Sequence, residues 1–384
     1  MTEIYYEDLH QTEFSAIVEN CIYDERKKLY GIVLDRTAFF PEQGGQTADK
    51  GTINGQNVAD VHIKDGTIYH YVENAISIDT EVNGSVDFSH RFDFMQQHTA
   101  EHMLSGLVHS RFGYNNVGFH LSENETTVDF DGVLSLDELR SLEKEVNCCI
   151  RNALPVNILY PSDEELKNLP YRSKKELTGQ IRIVEIPGID ICACCAPHCE
   201  NTAQVGLFKI DSVMSHRGGV RVNILCGDRA IDDYTKRQDE AYGISVLLSA
   251  KQGELIEAVK LKQNELTDRQ LRINSLQSRI LELEIAALPS PEEKDNSVIF
   301  LEGLDTIAVR NAVNTLTERY PGYSSIFVGN DEAGYHFIIG SINKDCTALN
   351  ALLRERLNAK GGGTPRMVQG SVAAQKSEIL NLLP

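Results

Sequence analysis

HTAEH (98–102) and CCAPH (194–198) constrain this chain most, because each sets two metal-type donors four residues apart. Side chains at i and i+4 of a helix share one face, about 6 Å apart along the axis. Ala100, Met103, Leu104, Leu107 and Val108 recur at helical spacing around the first pair. The stretch Met95 to Phe112 therefore reads as a helix stopping at Gly113. Thiolate and imidazole are the ligands zinc prefers, with bonds of about 2.3 and 2.0 Å. His98, His102, Cys194 and His198 together form a candidate zinc (Zn2+) site, and an ion held between two distant segments would tie the fold together. Cys192, Cys195 and Cys199 are rival ligands, and buried thiols without metal remain the alternative. His109, Cys148 and Cys149 read as core or surface residues.

Composition limits what surrounds such a site. At 384 residues the chain exceeds the ~250 to 300 at which single cores divide, so two to four units are expected. Hydrophobic residues make up 41% and charged residues 24%, which is ordinary for a soluble globular chain. MTEIYYEDLHQTEF at the N-terminus lacks a basic start followed by an apolar run, and no membrane-length apolar stretch occurs, so a cytoplasmic, unanchored protein is expected. The nine cysteines are odd in number, and four crowd into CACCAPHC (192–199), which favours a reduced, metal-holding cluster over disulfides. A net charge of -19 argues against loose, sequence-blind nucleic-acid binding, which rests on a net basic field. Any nucleic-acid contact must use local basic patches.

The pattern along the chain predicts a multidomain α+β protein. Residues 1–90 carry short strands with turns at GG, DKG, NG and DG, and alternating TIYHYV (67–72) suggests a small β-barrel. Residues 91–235 alternate helices with strands such as TTVDF, IRIVEI and VRVNIL. From 236 to 291, Val259, Leu266, Ile273, Ile280 and Ala287 form a heptad row, interrupted on its second side by Lys262 and Arg269 and ended by Pro289 and Pro291. A helical arm or coiled coil is expected there, and a homodimer would form through it or through the C-terminal unit. Residues 292–384 read as compact α/β. In that unit Gly361, Gly362 and Gly363, flanked by Lys360 and Arg366, suit phosphate contact, or form a turn after a helix.

Four segments in order resemble a known family. TAFFPEQGGQTADKGTI (37–53), RFDFMQQHTAEHMLS (91–105), GIDICACCAPHCENTAQVGLFKI (188–210) and SHRGGVRVNILCGDRA (215–230) are similar to the motif segments of the alanyl-tRNA synthetase editing domain and its freestanding AlaX-type relatives. The last unit resembles the DHH-associated domain that closes those synthetases. Gln43 stands for a family glycine, Thr47 for a proline, and Cys195, Ala196 and Pro197 for Gly-Gly-Thr. Val222 and Asn223 replace Arg and Ile, leaving Arg221 as the retained arginine of that turn. Met1 leads almost directly into the barrel-like segment, so a separate editing factor is expected rather than a ligase.

The resemblance implies zinc-dependent deacylation of tRNA(Ala) carrying the wrong amino acid, serine first and glycine second, with Ala-tRNA(Ala) spared. Four protein donors complete a tetrahedral shell, so zinc is expected to orient and polarise the aminoacyl end while a nearby water attacks. Gln96, Glu101 and Asp190 are the candidates for placing that water or the substrate amine. No size filter reliably rejects alanine in favour of serine, so selectivity requires a buried polar group that the serine hydroxyl satisfies. Thr37 and Thr127 are the candidates for that group, with Gly44, Gly45 and Gln46 on the pocket wall. Arg217, Arg221, Lys360, the three glycines and Arg366 are the expected tRNA contacts. Two other classes stay open: a zinc-stabilised RNA-binding protein without catalysis, and a metal hydrolase of small esters.

Overall fold

The computed structural model describes residues 2–173 and 180–383. It divides into two compact units, Met1–Glu240 and Ala241–Pro384, the division falling inside the helix Gly227–Leu248. Both units mix helices with sheets, so the chain is a multidomain α+β protein.

Unit one begins with seven antiparallel strands. Their order is Gln56–Asn57, Gly51–Ile53, Glu81–Val86, Glu13–Asp24, Leu29–Leu34, Thr67–Val72 and Asp60–Lys64. Alternation decides which face is buried: Ile68, His70 and Val72 point inward with Ile32, Leu34, Phe39, Phe40 and Val82. The outermost strands share no ladder, so the expected barrel is here a seven-stranded sheet without a closing pair. Arg91 ties this sheet to the helix after it, its buried guanidinium bonding Asp49 and the Ala38 carbonyl. Asp49 also accepts the Phe40 N–H, so one carboxylate anchors both elements. Residues on either side of position 90 therefore share one compact unit.

Arg91 belongs to the histidine helix, Phe88–Phe112. Asp87 caps it, accepting from the Ser89 and His90 N–H groups, and Gly113 ends it at a φ of 72° that favours glycine. Ala100, Met103, Leu104 and Val108 pack with Val128, Phe130, Val222 and Ile224 of a four-stranded antiparallel sheet. Met103, Leu104 and Val108, taken fully from water, contribute about 1.5–3 kcal/mol each. With one face committed to that core, the face carrying His98, Glu101, His102 and Ser105 divides its contacts. His102 reaches Asp190–Ala193, the last strand of a three-stranded sheet, which runs into Cys194, while Glu101, Ser105 and His98 meet Asn116 and Phe119 on an edge strand of the four-stranded sheet. Gly106 permits the approach of Asp190–Ala193, since a Cβ there would lie 2.3 Å from the Ile189 carbonyl oxygen.

Unit two contains the 33-residue helix Leu255–Ala287. Leu281 is buried with Val309, Val313 and Leu316, whereas Val259, Leu266, Ile273 and Ile280 of the heptad row are exposed. A five-stranded sheet follows, in the order Ser297–Leu301, Ser324–Asn330, Gly334–Gly340, Met367–Val372, Lys360–Thr364. Gly361, Gly362 and Gly363 form its edge strand, pairing with Gly370, Gln369 and Val368, and so are neither a turn nor a loop. Pairing draws the glycines straight and sets Lys360 and Thr364 about 13 Å apart, with Arg366 in the turn beyond. Lys360 and Arg366 thus stand at opposite ends of a hairpin and do not flank one phosphate cradle. Among the described residues, no helix is long and apolar enough to cross a membrane.

Candidate metal centre

The donor atoms of His98, His102, Cys194 and His198 all lie within 4.8 Å of one another. The three histidines are buried, between 1% and 3% exposed. Bonds of about 2.3 Å to sulfur and 2.0 Å to nitrogen place the two donor types about 3.5 Å apart around a tetrahedral ion. Cys194 Sγ lies 3.4 Å from His198 Nε2 and 3.6 Å from His98 Nε2. The donors therefore fit a zinc-sized ion in both type and spacing.

Each imidazole is turned by a different oxygen. His98 Nδ1 lies 2.9 Å from Gln46 Oε1, His198 Nδ1 3.1 Å from Thr99 Oγ1, and His102 Nδ1 3.0 Å from Asp190 Oδ2. An Nδ1–H aimed at Gln46 and at Thr99 leaves the Nε2 lone pairs of His98 and His198 facing the cluster, the tautomer a metal requires, whereas His102 Nδ1 stands beside Asp190 as an ion pair without an aligned hydrogen bond. Thr99 also accepts the Cys199 N–H, which holds the far end of CCAPH against the helix. Arg172 clamps Asp190 with two bonds, Nε to Oδ1 at 2.7 Å and Nη2 to Oδ2 at 2.9 Å. Its backbone bonds Ile191 and Ala193, so the same residue fixes the strand that leads to Cys194. Burial opposes charge on His102, but Asp190, ahead of Cys192 and Glu101, overrides it and raises the pKa of the metal-free imidazole. Burial likewise works to raise the pKa of Asp190, and its pairing with His102 and Arg172 brings it below the ordinary carboxylate value.

Glu101 has a different place from the ligands. Its Oε2 is 3.9 Å from both His98 Nε2 and His102 Nε2, while Oε1 accepts from Ser105 and Asn116. One oxygen is fixed and the other borders the cluster. Gly44 and Gly45 bring a turn against the same place: a Cβ on Gly44 would lie 3.7 Å from Cys195 Sγ, and one on Gly45 would lie 2.3 Å from the Phe119 carbonyl oxygen. The Phe119 ring in turn stands 4.7 Å from that of His98.

Other sequence candidates lie elsewhere or act differently. Gln96 donates to the Gln204 carbonyl and abuts Gly227, because position 96 projects from the helix well away from His98. Asp190 stands on the Nδ1 side of His102, its carboxylate engaged by that ring and by Arg172. Thr37 bonds the buried His70 at 2.8 Å and accepts the Phe39 N–H, which ties it into the sheet core. Thr127 pairs with His120, whereas Phe119 pairs with Val128, so Thr127 points from the opposite face of the sheet. Arg221 is engaged by Asp129 at 2.6 and 2.8 Å, and Arg217 is exposed at a hairpin tip. Burial pushes the Cys192 thiol up to about 11 and those of Cys195 and Cys199 to about 12. Cys192 falls in a separate buried group with His102 and Asp190, on the Nδ1 side of the ring. Sequence reasoning misses Arg172, which sits outside any spacing pattern, and Thr99, which lies inside HTAEH but is not a ligand-type residue.

Comparison with known proteins bears on the same segments. Residues 181–222 match the model of the threonyl and alanyl tRNA synthetase second additional domain, and residues 2–90 match that of class II (A) tRNA synthetases. The alanyl-tRNA editing protein AlaX-L of Pyrococcus horikoshii is 26% identical over 396 aligned positions, covering 99% of this chain and 96% of the relative. The chain is similar from end to end to the alanyl-tRNA editing proteins. Aarsd1 of Danio rerio, likewise named an alanyl-tRNA editing protein, is 26% identical, with 98% of this chain and 95% of the relative covered. The alanine--tRNA ligase of Methanoregula boonei is 28% identical over 96% of this chain, but over only 41% of its own length. The solved C-Ala domain of Aquifex aeolicus alanyl-tRNA synthetase matches 23% of this chain and 85% of its own, at 20% identity and a TM-score of 0.21. The Cys194 and His198 side of the cluster lies inside the first matched model, while HTAEH itself lies between the two matched ranges.

Proposed function

We propose that the protein is an aminoacyl-tRNA deacylase that removes wrong amino acids, serine foremost and glycine second, from tRNA(Ala) while sparing alanine. The observation that carries this reading is the four-donor cluster of His98, His102, Cys194 and His198, bordered by a fixed carboxylate, in a chain that aligns throughout with alanyl-tRNA editing proteins. Zinc, held by those four residues, would orient the aminoacyl end and polarise its ester carbonyl. The residues of the chain do the rest. Gln46, Thr99 and Asp190 keep the imidazoles aligned. Glu101, with one oxygen held by Ser105 and Asn116, presents the other to a water or to the substrate amine. That water adds to the ester carbonyl as Glu101 takes its proton, and Glu101 returns that proton to the ribose oxygen as the carbon–oxygen bond to the ribose breaks, releasing free amino acid and tRNA. Arg217 at its exposed hairpin tip, and Lys360 in the second unit, are the contacts proposed for tRNA phosphate.

Four-donor closure also favours a second reading, in which the metal only stabilises an RNA-binding fold. Turnover separates the two. Purified, zinc-loaded protein is expected to hydrolyse Ser-tRNA(Ala) and, more slowly, Gly-tRNA(Ala), leaving Ala-tRNA(Ala) intact. Absence of turnover on all three, with tRNA binding retained, would establish the structural reading instead.

A further inference from the structure

Thr126 is fully buried, and its hydroxyl has no hydrogen-bond partner among the described residues. Among the described residues of the first unit, His102, Arg182, Asn223 and Arg229 each carry one other buried polar atom in this condition, and Thr126 is the one hydroxyl among them. A buried polar group without a partner is costly and persists where it has a use. Position suggests the use. Thr126 pairs across the sheet with Leu121, and Leu121 is bridged to Gln46. Paired residues share a face, so Gln46, Leu121 and Thr126 form one row. Gln46 reaches from that row to His98 Nδ1. Phe119, two residues from Leu121 and on the same face, sets its ring against the ring of His98. The unpartnered hydroxyl therefore stands on the wall that supplies two neighbours of His98, whereas Thr127 stands on the other side.

We propose that Thr126 is the specificity-determining residue of the site, its hydroxyl pairing with the side-chain hydroxyl of a seryl group on the tRNA. The inference rests on the deacylase reading above and names the group that would enforce its selectivity. A seryl group supplies the missing partner. Alanyl and glycyl groups leave Thr126 as it is in the free protein, so only serine gains from it.

The test uses the full chain, zinc-loaded, with Thr126→Val, which keeps the shape and removes the hydroxyl, and Thr126→Ser, which keeps the hydroxyl. Hydrolysis of Ser-tRNA(Ala) and Gly-tRNA(Ala) is measured for each. Thr126→Val is expected to lower kcat/KM for the seryl substrate by about tenfold or more, to leave the glycyl substrate within about twofold, and to melt no lower than the parent. Thr126→Ser is expected to keep the seryl rate within about threefold. An unchanged seryl rate in Thr126→Val overturns the proposal, as does a parallel fall on both substrates, or a Thr126→Ser protein that behaves like Thr126→Val. A parent that hydrolyses neither substrate overturns the deacylase reading, and this inference with it.

Discussion

Two stretches of this chain invite a ligand, HTAEH with CCAPH in the first unit and KGGGTPR in the second, and they fold to opposite effect. The histidine pair carries its own helical geometry, Cys194 and His198 lie in irregular chain placed by the strand Asp190–Ala193 and by the Thr99–Cys199 bond, and Gln46, Thr99 and Asp190 set the remaining freedom of the rings. The glycines carry no side chain, so their conformation is decided by the strand beside them, and Met367–Val372 makes them an edge strand. A motif of side chains at helical spacing specifies directions, whereas a run of glycine specifies only permission. Preorganisation accordingly belongs to the first stretch and is absent from the second.

The largest effect expected from breaking this contrast is at a ligand. His102→Ala should lose metal and deacylation by more than the roughly 100-fold that removal of an outer partner reaches, with metal content and turnover as the readouts. Full zinc with full activity in that variant would remove His102 from the site. Asp190→Asn should weaken zinc binding by about 10- to 100-fold, and Arg172→Ala by about tenfold, in competition against a chromophoric chelator. Equal affinity in all three proteins would mean that the oxygen behind His102 contributes nothing.

Acid should act on the same ring. Because the pKa of metal-free His102 is raised, zinc must displace a proton over a range where an ordinary histidine is already neutral. Affinity should therefore fall as the pH drops through that raised range. Asp190→Asn should move the onset of the fall to lower pH, since Asp190 is the foremost of the groups that raise the value, ahead of Cys192 and Glu101; an onset that stays put would contradict this. The smallest effect is expected in the edge strand. A Cβ on Gly362 meets nothing within 4 Å, so Gly362→Ala should leave tRNA affinity within about twofold. A large loss there would restore the glycines as a phosphate cradle.

Legibility in the sequence divides the same way. Donor spacing and the periodicity of the histidine helix are local properties, and they are enough to single out the four residues that the fold gathers. Arg172 is invisible because it meets Asp190 only through pairing of its segment with the strand Asp190–Ala193. Asp190 itself is legible as a polar residue near the cluster, but its role depends on which side of His102 it occupies. Thr126 and Thr127 show the sharpest limit: adjacent strand residues face opposite ways, and the register that chooses between them is set by Leu121 and His120 on another strand. In residues 1–90 short strands are legible from the turns, and TIYHYV by its alternation, whereas closure into a barrel depends on whether the outermost two strands of the seven-stranded sheet pair, which no local pattern states.

The central claim is that three imidazoles and one thiolate hold a zinc ion. X-ray absorption at the zinc edge of the purified, metal-replete protein tests it most directly. The account predicts one ion per chain, with one sulfur at about 2.3 Å and three nitrogens at about 2.0 Å. A shell of two or more sulfurs would contradict it, making Cys192, Cys195 or Cys199 a ligand and displacing at least one of the histidines on which the proposed chemistry depends.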